Sequence, residues 1–467
     1  MIQRSPEYMT DGMPPPEMLR SVLKEHMHNR MRLQELADAY GGNSAIVRRS
    51  RAPGLPNNRI AHPFARYIVA VSTGYLVGNP VTYSCAEDSE ALAAITDVFR
   101  RGSIASVDAE NARNAAIYGR GVEYVHVDAD GMPHATALSP MDAFLVYENS
   151  YDMRPLFGVY MIPKTKADGS QDGFRIWVMT EVAVMEYHAA DLNGGAFSMV
   201  ESIPHFFGGV PLVEYWNDES ERGDFEWVMP LIDAYDAIQS DRVNDKEQFV
   251  DALLVLTGCV MEIDERGREP WRQLREDKAL CLPDNQAKAE YLARQMSEAD
   301  VEVLRAALAE DIHKLSMVPD LSDKNFAANA SGVAMRYKLW GLEQLVNVKQ
   351  RWFIEGLRNR LQLYANFMEL RGFKALDVSD VKIEMARAMP ANLLEQAQIA
   401  NMAESAGAAS IEQRVRILHD GQEWTENDIQ KEVARIRVES VEPDPLAQFG
   451  NVIPGNTEEQ LIEQDEV

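Results

Sequence analysis

Apolar positions recur every three or four residues at the start of the chain and every second residue further on, so the pattern divides the sequence before any motif does. Pro14, Pro15 and Pro16 end a loose, polar leader. A helix is predicted from Glu17 to about Tyr40, stopped by Gly41 and Gly42, since glycine tolerates the left-handed turn after a helix. Arg51 to Arg59 is rich in Pro, Gly and Asn and reads as a loop. Further helices fit Ile60–Leu76, Ser89–Phe99 and Val107–Tyr118. From Gly121 to Tyr215 the period becomes two. Strands fit Glu123–Val127, its return after a turn at Asp128–Gly131, then Ala143–Tyr147, Phe157–Ile162, Phe174–Met179, Val182–His188 and Val210–Tyr215. Short neighbouring strands joined by Gly- and Asp-containing turns point to an antiparallel meander and not to βαβ units.

The helical period returns from Trp227 to Leu256. Asp233, Asp236, Ser240, Asn244, Glu247 and Asp251 follow one another at steps of 3, 4, 4, 3 and 4, so they share one face, with Leu231, Tyr235, Ile238, Phe249, Leu253 and Leu256 opposite. Thr257 to Gln295 reads as a compact insert: a strand, a turn at Glu265–Gly267, a short helix around Trp271 and two more strands. An acidic helix is predicted at Ser297–Leu315, an irregular stretch from Ser316 to Ala330, and a helix of 41 residues from Ser331 to Arg371. At about 1.5 Å per residue that helix would extend ~60 Å, long enough to need partners beyond its own core. Helical patches at Leu393–Glu404, Ile411–Leu418 and Glu426–Val438 precede a tail, Glu439–Val467, with eight acids, no Lys or Arg and three prolines, which reads as disordered. The fold class is α+β.

Composition narrows the function. The 467 residues exceed one ordinary core and imply two to four compact units at roughly 100–200 residues each. The net charge of −27 rules out bulk attraction to the outside of nucleic acid. Three cysteines (Cys85, Cys259, Cys281) without a C-x-x-C pair fit a reducing compartment and give neither a zinc site nor a disulfide framework. The longest apolar run, Ala252–Met261, is about half a membrane span, and no apolar leader opens the chain. A soluble protein made inside the cell is expected.

The chemical search is negative. The chain has no G-x-x-x-x-G-K-[ST] phosphate loop, no G-x-G-x-x-G after a strand, no H-E-x-x-H and no nucleophile elbow. His26 and His28 read as solvated surface, Asp128-x-Asp130-Gly131 as a hairpin turn, and Cys259 and Cys281 as small core residues. No catalytic, cofactor or metal residue is predicted. Charge distribution says more. Asp218–Asp251 carries eleven acids and three bases, Glu298–Asp311 five acids and one base, and Ser331–Lys374 eight bases and three acids. Two acidic helices around a small α/β insert, with a basic helix elsewhere, suit an assembly with a distinct inside.

Those residues carry a resemblance. GLPNNRI (Gly54–Ile60), GYLVGNPVTY (Gly74–Tyr83), FFGGVPLVEYWND (Phe206–Asp218), LIDAYDAIQSDRVNDKEQFVDALLVLTG (Leu231–Gly258) and PDLSDKNFAANASGVAMRYKLWGLE (Pro319–Glu343) occur in order along the chain. The chain resembles the portal proteins, or head–tail connectors, of tailed bacteriophages of the siphovirus type. The resemblance implies a homo-oligomeric ring, normally of twelve subunits, at one capsid vertex in the virion, assembled in the host cytoplasm, with a channel for double-stranded DNA. It also implies a docking platform for terminase and head–tail adaptor, and contacts with major capsid and scaffolding proteins. Residues 1–226 would form a strand-rich wing, 227–256 and 297–315 the stem helices, 257–296 a clip, 316–330 a tunnel loop, 331–389 the long wing helix and a following strand, and 390–438 crown helices, before the acidic tail 439–467. Asp233, Asp236, Ser240, Asn244, Glu247 and Asp251 would then line the channel. Asp320, Asp323, Lys324, Asn325, Asn329 and Ser331 would belong to the tunnel loop, and Arg266, Arg268, Trp271, Arg272 and Arg275 to the docking surface of the clip. An acidic wall repels phosphates and keeps a duplex from sticking to it. Neither a cofactor nor a membrane is implied. A different acidic ring or scaffold protein that does not conduct DNA is the alternative, and the bore of the ring separates the two.

Overall fold

Pro16 opens the first helix, α1 (Pro16–Gly41), where its missing N–H leaves nothing unpaired, and Gly42 ends it in the left-handed region at φ 84°. The computed structural model describes residues 1–53, 55–85, 89–192, 195–250, 253–257, 288–292, 298–322, 335, 337–387, 393–419, 424 and 426–439. The chain divides into two compact units, residues 1–388 and 389–467. In the first, α1 is followed by α2 (Phe64–Val77), α3 (Glu90–Arg101), α4 (Ile104–Tyr118), α5 (Met229–Val250), α6 (Glu298–Ser316) and α7 (Trp340–Leu370). The second contains α8 (Leu393–Ser405), α9 (Ile411–Leu418) and α10 (Glu426–Glu439). Ser89 caps α3 by accepting from the Leu92 N–H, and Ser410 with Gln413 forms a reciprocal cap on α9. Val415, Ile429 and Val433 form the small apolar core of the second unit.

The strands are β1 (Ile2–Arg4), β2 (Thr82–Ser84), β3 (Arg120–Val127), β4 (Pro133–Leu138), β5 (Ala143–Glu148), β6 (Pro155–Thr165), β7 (Gln171–Met179), β8 (Ala183–Ala189), β9 (Ser198–Pro204), β10 (Leu212–Trp216), β11 (Leu253–Thr257), β12 (Lys288–Leu292) and β13 (Lys382–Glu384). Six form one sheet in the order β1-β5-β6-β7-β8-β9, a meander of antiparallel neighbours except for the parallel pair β1 and β5. Phe144 and Val146 of β5 pack with Leu19, Val22 and Leu23 of α1. Ala143, Leu145 and Tyr147, on the other face of β5, pack with Val122 and Leu212 of the three-stranded sheet β10-β3-β4. A strand covered on both faces reads as an unbroken apolar run, which is why Ala143–Tyr147 was visible in the sequence. The Asp128 carboxylate accepts from the N–H groups of Asp130 and Met132, so the hairpin turn between β3 and β4 stands as predicted.

Helix α7 carries two of its basic residues, Lys349 and Arg360, inward. Arg360 is fully buried and its guanidinium reaches Asp108 of α4 at 2.6 Å, Glu123 of β3 at 3.2 Å and the Tyr83 hydroxyl of β2 at 2.9 Å. Lys349, three turns earlier, meets Asp224 at 2.6 Å. Gly356 lies between them against the Tyr215 ring, where an added methyl group would come within 2.5 Å of the ring. Only glycine allows that approach.

Several expectations change. The leader is anchored, because Ile2 is 1% exposed and β1 pairs with β5. His26 is buried, stacked on Phe144 at 4.2 Å with Nε2 2.9 Å from the Met141 carbonyl oxygen, since it falls on the face of α1 that carries Leu19, Val22 and Leu23. His28 is exposed as predicted. Helix α2 starts at Phe64 and not Ile60, because Pro63 takes the N-cap and the preceding residues are bound elsewhere. Helix α5 stops at Val250. Leu253 and Leu256, predicted on its apolar face, belong to β11, which pairs antiparallel with β12. Helix α7 starts at Trp340 after a turn at Leu339 and has 31 residues, about 46 Å; Met335, Tyr337 and Lys338 before the turn are also helical, and the rest of the predicted start, 331–334 and 336, lies outside the described residues. It buries Leu342, Val346, Phe353, Leu357, Leu361, Tyr364 and Met368 within its own unit. Strand β9, exposed at all seven positions, lacked the apolar alternation that would have revealed it. Cys259 and Cys281, the insert around Trp271 and the tail after Glu439 lie outside the described residues.

Replacing Arg360 by Met would leave Asp108 and Glu123 buried without their cation, so Arg360→Met should lower the unfolding free energy by roughly 3–5 kcal/mol in urea titration. A second expectation follows from His26, whose pKa burial lowers from 6.5 to about 4. Between those values the unfolded chain binds a proton that the folded chain does not, so stability should fall as pH drops through this window, by up to ~3 kcal/mol. His26→Gln, which can still donate to Met141, should flatten that slope; an unchanged dependence of the urea midpoint on pH would contradict the assignment.

Candidate functional site

Helices α5 and α6 pack against each other although both are acidic, because three bases are placed between them. Arg242 of α5 reaches Glu302 at 2.9 Å and Glu298 at 3.2 Å, and Lys246 reaches Glu298 at 2.9 Å. Arg305 of α6 holds Glu302 at 2.6 Å and donates to the Tyr235 hydroxyl at 3.2 Å. Lys246 and then Arg242 keep the Glu298 carboxyl below its ordinary pKa, and Arg305 does the same for Glu302. On α6, Glu310 and Asp311 are exposed.

The polar face of α5 is covered by the chain itself. His62 donates its backbone N–H to Asp236 Oδ1 at 2.9 Å and its Nδ1 lies 2.9 Å from the same oxygen, while the Ser44 hydroxyl donates to Oδ2 at 3.0 Å. One step along, the Ile60 N–H donates to Ser240 Oγ at 2.9 Å. At the next step the Asn58 N–H donates to Asn244 Oδ1 at 2.7 Å, and Asn58 Nδ2 reaches Glu247 at 2.7 Å. Two residues of extended chain advance ~6.6 Å and four residues of helix ~6 Å, so positions 62, 60 and 58 keep step with 236, 240 and 244. Asp241, beside this strip, takes both Arg49 and Arg51.

This arrangement corrects part of the predicted channel wall. Asp236, Ser240 and Asn244 are 0% exposed, and their polar atoms face residues 44–62. Asp233 is half-buried, and loss of water, then the nearby Asp236, pushes its pKa up. Glu247 is exposed, and Asp251 lies outside the described residues. Of the loop positions, Asp320 is described: its Oδ1 accepts from the N–H and hydroxyl of Ser322 at 2.9 and 2.6 Å. Asp323, Lys324, Asn325, Asn329 and Ser331 lie outside, as do Arg266, Arg268, Trp271, Arg272 and Arg275, whose segment is flanked by the ribbon β11–β12. Sequence reasoning missed Asn58, Ile60 and His62 as partners of α5. The available signal was their spacing of two beside a helix whose polar residues repeat at four.

Among the described residues no group of three or more His, Cys, Asp or Glu is placed to hold a metal, and no helix is long and apolar enough to cross a membrane. If the strip on α5 is structural, Asp236→Ala should cost roughly 2–3 kcal/mol, because the His62 N–H and the Ser44 hydroxyl lose their acceptor. Glu247→Gln, at an exposed position, should change stability by less than about 0.5 kcal/mol. Urea unfolding of the two variants measures the contrast.

Comparison with known proteins places this geometry. The portal protein of Bacillus phage SPP1 is 22% identical over 332 residues, which cover 68% of this chain and 64% of that protein's length. The portal protein of Clostridium phage phiCD119 is 20% identical over 361 residues, 74% of this chain and 78% of that protein. The structure of the virion of a native gene transfer agent particle includes a chain that aligns with 84% of this one and 94% of itself, at 14% identity and a TM-score of 0.43. The profile of the family described as phage portal protein, SPP1 Gp6-like, matches residues 19–443, through both compact units. The chain therefore belongs to the phage portal protein family, SPP1 Gp6-like.

Proposed function

We propose that the protein is the subunit of a ring at one vertex of a capsid, the channel through which double-stranded DNA is packaged and ejected, and the docking platform for terminase and head–tail adaptor. The observation that carries this reading is the family match over residues 19–443. The paired acidic helices support it, since cross-linking by Arg242, Lys246 and Arg305 yields a stiff two-helix unit that is still net negative. In this reading α5 and α6 are the stem, residues 257–296 are the clip, the connection 316–330 is the tunnel loop and residues 390–438 are the crown. The sheets and the helices around them form the wing. The ring, of twelve subunits, closes by heterologous contacts, which let one chain build a tunnel. With Asp236, Ser240 and Asn244 occupied by residues 44–62, the negative wall would fall to Glu247, Asp251, Glu310 and Asp311. Such a wall repels phosphates, so a duplex slides without adhering. The role is structural, and the motor activity belongs to the terminase.

Light scattering of the purified protein at micromolar concentration, over a range of salt, should find a large closed oligomer; only monomer or dimer would reject the ring. Lys324, the one base between 316 and 330, would offer the DNA backbone a weak, salt-screened contact. Lys324→Glu should therefore leave rings intact and lower genome packaging or retention in a phage complementation assay. Normal yields from intact mutant rings would remove Lys324 from the mechanism.

A further inference from the structure

We infer that Tyr67 of α2 is a positioning residue for the connection that follows α6, holding it where it leaves the body of the protein; this rests on the reading of 316–330 as the segment that meets DNA. Helix α6 ends at Ser316, and Met317 turns the chain with φ 58°, a left-handed conformation that a side chain resists. Such a turn persists only where its surroundings hold it, and here they do. Val318 is fully buried, and its carbonyl oxygen accepts from His313 Nδ1 at 2.9 Å. The Tyr67 hydroxyl then makes two bonds to the outgoing strand of chain: it donates to the Pro319 carbonyl oxygen at 2.8 Å and accepts from the Leu321 N–H at 2.9 Å.

The Tyr67 ring joins a chain of aromatic contacts that crosses three helices. Its ring meets His313 of α6 edge-on at 5.7 Å, His313 meets Phe64 of α2 at 5.9 Å, and Phe64 meets Tyr235 of α5 edge-on at 5.1 Å. His62, which anchors the strip on α5, packs edge-on against Tyr235 at 4.8 Å. The two ends of the connection also meet. A methyl group added to Gly341, at the start of α7, would sit 3.6 Å from the Met317 carbonyl oxygen. The α5–α6 pair and the base of this connection therefore share one aromatic hub, and a shift of either helix reaches residues 319–321 through a single hydroxyl.

Tyr67→Phe deletes both bonds and keeps the ring, so it separates positioning from packing. On the full-length protein, trypsin cleavage after Lys324, followed as the fragment that begins at Asn325, should speed up about tenfold, while the thermal midpoint stays near that of the parent. Phe64→Leu loosens the hub but keeps both bonds, and it should lower the midpoint and leave that cleavage rate unchanged. In phage complementation, intact Tyr67→Phe rings should package several-fold fewer genomes. An unchanged cleavage rate in Tyr67→Phe overturns the inference, as does cleavage that merely follows the midpoint in both variants. Faster cleavage with normal packaging also overturns it, because the hydroxyl would then position nothing that DNA passage uses. The proteolysis arm involves no DNA, so failure of the channel reading and failure of this inference give different results.

Discussion

A guanidinium removed from water must find its charge partners inside the protein, and the placement of Arg360 satisfies that demand from two consecutive elements that lie 252 and 237 residues away in sequence. Asp108 comes from α4 and Glu123 from β3, with Tyr83 of β2 completing the set. Desolvation opposes the charge, but the two carboxylates and the surrounding hydroxyls hold the guanidinium protonated. Moving α7 would strand one cation and two anions in an apolar interior, so the helix is locked to the sheet and to α4 together. Lys349 and Asp224 repeat the device three turns away, beside the connection that leads into α5. Through α7, the positions of the sheets and of the acidic pair become one problem with one solution.

The acidic pair shows the same economy at its surface. Repulsion between α5 and α6 is cancelled locally by Arg242, Lys246 and Arg305, and the polar stripe of α5 is occupied by a stretch of chain with no regular structure of its own. That stretch needs the helix as much as the helix needs it. Residues 58–62 have neither strand partners nor a helical turn to satisfy their N–H groups, and α5 supplies acceptors at the matching interval.

What the sequence made legible was whatever a local period encodes. The alternation in β3 to β8 and the helical repeat in α1, α4 and α9 gave those elements to within a few residues. Boundaries failed where a distant partner decided them. Leu253–Leu256 continues a helical pattern until β12 claims it as a strand, and His26 looks like surface until α1 is laid on β5. The polar face of α5 reads as a wall from sequence, because periodicity reveals a face without saying what covers it. Arg360 was counted as part of a basic helix, since nothing local shows that its charge is spent on Asp108 and Glu123. The clip residues and most of the loop residues rest on the family resemblance alone.

In the proposed function one chain, locked internally by buried ion pairs, repeats around an axis to enclose a passage for DNA. End-on electron microscopy of the purified full-length protein tests that claim most directly, because it shows closure, symmetry and bore in one image. The account predicts closed rings of twelve subunits with a central opening wide enough for a B-form duplex. A closed dimer, an open filament, or a ring without a bore would contradict it.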